Sequence, residues 1–168
     1  KNESLTDTII DGKSHLIQKI KSDQDSLLNR KLKDDAHAYQ FDQNLLNELY
    51  NSFDVFVSTT TAEGWGLTIT EAMACGIPVI CPIHTSLNEI TEEGTLVYPL
   101  RSLRPFMFVN DMEKVRYISS VKEVSKRMYD AMAEIGTEYQ SDLVYKARKK
   151  ALSYKWKKSA SLIMKNFK

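Results

Sequence analysis

Three short runs of apolar and β-branched residues, at 53–58, 77–81 and 95–98, alternate with segments that carry helix start and stop signals. No other feature limits the fold as much. Phe53, Val55, Phe56 and Val57 make a nearly continuous apolar run, as in a strand covered on both faces. Thr68 and Glu71 stand at the S/T-x-x-E spacing that predicts a capped helix start, and Gly76 supplies the stop. Ile77, Val79, Ile80 and Cys81 predict a second buried strand, with Pro78 tolerable near its beginning. Ser86 and Glu89 repeat the capping pattern, Gly94 is expected to close that helix, and residues 95–98 predict a third strand. Strands that alternate with helices pair in parallel through crossovers, so the fold class is α/β with an open parallel sheet.

The flanks are less regular. Residues 36–41 alternate as a strand would, and Asp42 is a plausible N-cap for a helix with Leu45, Leu46, Leu49, Tyr50 and Phe53 at helical spacing. Residues 101–118 read as irregular. Ser120 and Glu123 predict a third capping box, opening a helix with Val121, Val124, Met128 and Met132 on one face. The chain ends in basic helical sequence whose stripe runs through Ala147, Ala151, Leu152, Trp156, Ala160, Ile163, Met164 and Phe167. Leu152, Trp156, Ile163 and Phe167 are expected to dock on the core, with the lysines solvating the outer face.

At 168 residues the chain is long enough for one domain, expected to span 1–168, with no need of a disulfide or metal staple. A net charge of +1 excludes a globally basic nucleic-acid binder. The charge is uneven, because residues 146–168 hold nine Lys/Arg and no acid. No apolar run reaches the roughly 18 residues of a membrane span, and no secretory leader is visible, so a soluble, cytoplasmic protein is expected. Cys75 and Cys81 are too few for a disulfide framework and read as inert buried thiols. His15, His37 and His84 stand apart, so no metal site is expected.

In open α/β sheets ligands sit outside the carboxyl ends of the strands, which is where residues 59–68 fall. Gly64 and Gly66 let the backbone approach a ligand and adopt positive φ. The amides at Gly66, Leu67 and Thr68 are those a helix leaves unpaired, and with the helix dipole they suit a phosphate. Glu63 and Glu71 bracket that turn, and carboxylates, which only accept, match the paired hydroxyls of a ribose or a sugar. Plainer roles stay open: Glu71 as the capping partner of Thr68, Glu63 as a solvated loop acid, Trp65 as a hydrophobic plug, His84 as a polar loop residue.

Residues 54–58 (DVFVS), 63–67 (EGWGL) and 71–80 (EAMACGIPVI) together strongly resemble the signature of retaining, nucleotide-sugar-dependent glycosyltransferases of the GT-B fold, family 4 type. That signature reads EGFGLxxxEAMAxGxPVI, and its two glutamates form an E-x7-E motif. The resemblance implies a Rossmann-like sheet serving as the C-terminal, donor-binding half of such an enzyme. It would move a hexose from a UDP- or GDP-sugar to a saccharide or lipid-linked acceptor, with retention and without a metal or other cofactor.

By position, Glu71 would hold the donor ribose. Glu63 would lie beside the transferred sugar and favour the charge that develops at its anomeric carbon. Gly64, Trp65, Gly66 and Leu67 would offer amides to sugar and diphosphate oxygens, with Thr68 assisting at the phosphate. Main-chain atoms of Tyr39, Gln40 and Phe41 would meet the nucleobase. Trp65 replaces the usual Phe, Tyr39 stands where Gly is frequent, and Thr85-Ser86 replaces a common Gly-Gly pair.

No G-R-x4-K segment precedes Ala36, and the N-terminal acceptor domain is expected to be absent, so these residues alone are expected to turn over little or nothing. The alternative is a non-catalytic module of the same fold that binds a nucleotide or a partner. Peripheral contact with a membrane is left open by the basic tail and the lipid-linked acceptors of many relatives; contact with nucleic acid is not expected.

Overall fold

Parallel pairing holds the centre of the molecule together, with Phe56 opposite Val79 and Val57 opposite Ile80, then Ile80 opposite Tyr98 and Pro82 opposite Leu100. The structure is a computed structural model and describes residues 43–107 and 114–166. It divides into two compact units, Lys1–Ser52 and Phe53–Lys168. In the first, α1 (Gln43–Asn51) buries Leu45 and Tyr50, two of the positions its periodicity singles out. The expected strand at 36–41 and the Asp42 cap lie outside the described residues.

The second unit is a three-stranded parallel sheet of order β1 (Phe56–Val57), β2 (Val79–Pro82) and β3 (Tyr98–Leu100), with an antiparallel hairpin, β4 (Leu103–Phe106) and β5 (Arg116–Ser119). Helix α2 (Leu67–Cys75) joins β1 to β2, and α3 (Ser86–Ile90) joins β2 to β3. After the hairpin come α4 (Val121–Ala133), α5 (Glu138–Ser153) and α6 (Trp156–Asn166). The open parallel α/β sheet is therefore as the alternation predicts, and it is Rossmann-like. All four residues of β2 are buried, and Ile80, Tyr98, Leu100, Ala131 and Leu143 form one cluster with Val55, Val57 and Val124 against it. Helix α2 packs on α5, and α4 packs on β3 and β2.

Several expectations need correction. The first strand shrinks from 53–58 to two half-buried residues. The third begins at Tyr98 rather than 95, because Glu92, Glu93 and Gly94 all take positive φ and the chain is still turning. The stretch 101–118 is not irregular throughout, since the hairpin occupies most of its described part.

None of the three capping boxes forms. Helix α2 starts two residues early, with Gly66 as N-cap in the left-handed region (φ 85°) and Thr68 already inside. Ser86 spends its hydroxyl on the Glu63 carbonyl, 3.1 Å away. Glu123 accepts the amides of Arg101 and Ser102 (2.7 Å for the latter), so it caps a neighbouring loop and not its own helix. A carboxylate takes whichever donor the tertiary fold brings nearest, and spacing in sequence does not register that competition. Gly76 does stop α2: its N–H reaches Met73 O and that of Ile77 reaches Ala72 O, a Schellman pair.

The inward edge of α4 is Val124, Arg127 and Ala131, leaving Val121, Met128 and Met132 exposed, contrary to the expected face. The basic terminal stripe is broken at Tyr154, which takes an extended conformation. Ala147 and Ala151 are buried as expected, but Leu152 of α5 is exposed and α6 buries nothing: Trp156 (88% exposed) and Ile163 face outward, while Phe167 lies outside the described residues.

Candidate functional site

Because β1, β2 and β3 run parallel and in register, the segments that follow them emerge along one edge of the sheet: residues 58–66, 83–85 and 101–102. The first of these feeds α2. Glycine suits position 66 because its φ of 85° is one that L-residues avoid and because a Cβ there would sit 2.7 Å from Leu87 Cδ2. The helix takes up hydrogen bonding at Thr70, whose N–H and hydroxyl both reach Gly66 O (3.0 and 2.9 Å). Amides ahead of Thr70 lie outside the helix's own ladder, and Leu67 and Thr68 are exposed there. Gly64 differs from the expectation. It needs no positive φ, and a Cβ built on it would meet only open space.

The fold grips Glu63 by its main chain. Its N–H donates to Thr85 Oγ1 (3.3 Å) and its C=O accepts from Ser86 Oγ (3.1 Å), leaving the carboxylate outside both bonds. Glu71 lies on α2, half-buried, and its charge reaches Cys75. Trp65 meets Tyr154 edge to face at 4.8 Å, so its ring braces the bend between α5 and α6 while remaining partly exposed. Glu63, Gly64, Trp65, Gly66, Leu67, Thr68 and Glu71 thus share one turn and the helix it opens. Tyr39, Gln40 and Phe41 lie outside the described residues.

His84, Thr85 and Ser86 are what sequence reasoning undervalued. His84 is only 7% exposed, its ring stacked on Tyr117 (5.3 Å between centroids). Its Nε2 is 3.1 Å from the Thr60 carbonyl, which only accepts, so Nε2 carries a proton. In the neutral ring Nδ1 then accepts from the Thr85 hydroxyl, 3.1 Å away. Tyr117 adds its own N–H to Thr61 O (3.1 Å). Thr85 adopts φ 49° and ψ −137°, a conformation that costs a β-branched residue about 1–3 kcal/mol. The available signal was three consecutive polar side chains one residue past the end of a buried strand, on its carboxyl side.

The thiols differ. Cys81 is fully buried and burial pushes it up to about 12, whereas Cys75 is half-buried and is raised by desolvation, which Arg148 opposes and Glu71 reinforces. Among the described residues, no cluster of three His, Cys, Asp or Glu could hold a metal ion, and no helix is long and apolar enough to cross a membrane.

Residues 9–101 match the family described as "Glycosyl transferases group 1", just over half of the chain. A 49-residue segment is 47% identical to the O-antigen chain mannosyltransferase B of Escherichia coli, covering 29% of this chain and 13% of that relative. The matched segment therefore spans about an eighth of the relative's length.

Proposed function

This chain belongs to the group 1 glycosyl transferases, and from that premise we propose that it is the donor-binding part of a retaining hexosyltransferase. The donor is a UDP- or GDP-sugar and the acceptor a saccharide or lipid-linked glycan. The observation that carries this reading is the turn at Gly66, a solvent-open helix start flanked by Glu63 and Glu71 at the carboxyl edge of a parallel sheet. The helix dipole, with the chain exposed at Leu67 and Thr68, favours the donor diphosphate. Glu71 takes the ribose hydroxyls, and Thr68 hydrogen-bonds the phosphate. Glu63, next to open space at Gly64, faces the sugar and stabilises positive charge at its anomeric carbon.

The relative named a mannosyltransferase makes mannose the first sugar to test. The base is met by main-chain atoms at residues 39–41. No metal or other cofactor enters, an acceptor domain completes the cleft, and the full-length enzyme works in the cytoplasm.

Binding tests it. A donor at about a hundred times its Kd stabilises the fold by about 2.7 kcal/mol, a rise of several degrees in Tm. GDP-mannose or UDP-glucose is expected to produce that rise and Glu71→Ala to abolish it. No rise with either at millimolar concentration counts against the reading. Proton NMR of the product anomer from the full-length enzyme decides retention.

A further inference from the structure

We propose that Thr85 and His84 are positioning residues for Glu63, a clasp on the second post-strand loop that sets where the acid stands beside the donor sugar. The inference rests on Glu63 being the sugar-facing acid. Four contacts converge on one short segment: His84 Nε2 on Thr60 O, Tyr117 N–H on Thr61 O, Thr85 Oγ1 on Glu63 N–H and Ser86 Oγ on Glu63 O. Gly64 beyond them has nothing within 4 Å of its Cβ position, so the grip ends where the open space begins.

The clasp is directional. Thr60 O fixes the proton on Nε2, so neutral Nδ1 accepts the Thr85 hydroxyl proton, which turns the Thr85 lone pairs toward the Glu63 amide. Stacking on Tyr117 holds the ring plane that this requires. Thr85 keeps a positive φ that glycine would adopt without strain, so the side chain at this position is retained against backbone preference. A residue serving only to turn the chain has no need of it.

Gly and Ser at position 85 separate hydroxyl from backbone. Thr85→Gly removes the clasp and relieves the strained φ, so Tm is expected to hold or rise. Its Glu63 amide, followed by hydrogen exchange, is expected to exchange roughly tenfold faster, and its preference for a nucleotide sugar over the free nucleoside diphosphate to shrink about 3–10-fold. Affinity for GDP or UDP alone is expected to stay unchanged. Thr85→Ser keeps the hydroxyl and is expected to behave as wild type. His84→Phe keeps the stacking on Tyr117 but not the ring nitrogens, and is expected to lose sugar preference in the same direction as Thr85→Gly.

Exchange at Glu63 unchanged in Thr85→Gly overturns the clasp, as does a Thr85→Ser variant that fails like Gly. A loss of free-nucleotide affinity matching the loss for the sugar overturns the positioning role. Wild type that binds neither GDP-mannose nor UDP-glucose instead sinks the functional reading and the sugar part of this one, while amide exchange still decides the clasp.

Discussion

Helices α2 and α6 are nine and eleven residues long, yet the fold treats them oppositely. Helix α2 has a left-handed glycine at each end and buries Ile69, Ala72 and Met73 completely, whereas α6 has an apolar stripe and buries none of it. Trp156, Ile163 and Met164 all stand in solvent. Periodicity reports which side of a helix is apolar but says nothing about what covers it. For α2 the cover is present, in β2 and α5, and both neighbours belong to the same unit.

The sharpest way to break this comparison is to truncate one large side chain on each helix. Met73→Ala is expected to cost about 2–5 kcal/mol of unfolding free energy, while Trp156→Ala should stay within about 0.5 kcal/mol. Urea denaturation measures both, and equal losses would mean that α6 is covered after all. A smaller contrast lies within the turn that opens α2. Gly66→Ala combines a positive φ with a Cβ against Leu87 and is expected to cost about 1–3 kcal/mol, whereas Gly64→Ala, facing open space, should leave the urea midpoint where it is.

The smallest effect appears only in alkali and probes the polar pins of the buried half. Tyr98 donates to the Glu134 carboxylate at 2.6 Å and accepts from Gln140 at 3.1 Å. Burial first, and then that carboxylate, push its phenol up to about 12 from 10.0. Between those values the unfolded chain releases a proton that the folded chain keeps, so the contribution is full below pH 10 and is lost as pH rises toward 12. Cys81 acts in the same direction from 9.0, which starts the decline earlier. Urea midpoints should therefore fall across this range, and less steeply in Tyr98→Phe. Helix α6 contributes no such buried group.

The candidate site was legible where its residues act through local backbone geometry. Gly66 takes the positive φ and Gly76 makes the helix stop that the spacing of 63–76 predicts, while the helix starts after Gly66 and not at Thr68. It was illegible where side chains act across the fold. Ser86 and Glu123 looked like caps for their own helices and serve other loops instead, at separations of 23 and about 21 residues. His84 is the loop residue the sequence suggests, but its burial was hidden because its partners, Thr60 and Tyr117, come from two other segments.

Strand–helix alternation between 53 and 100 by itself determined the parallel sheet, because successive strands joined by crossover helices pair in parallel, with β2 buried at their centre. Gly76 determined where α2 ends, since left-handed backbone is a property of single residues. Only the tertiary structure decided which donors meet which acceptors, and which apolar stripe finds a cover. A hydrogen bond or a buried face needs two partners, and the second is set by how distant segments come together.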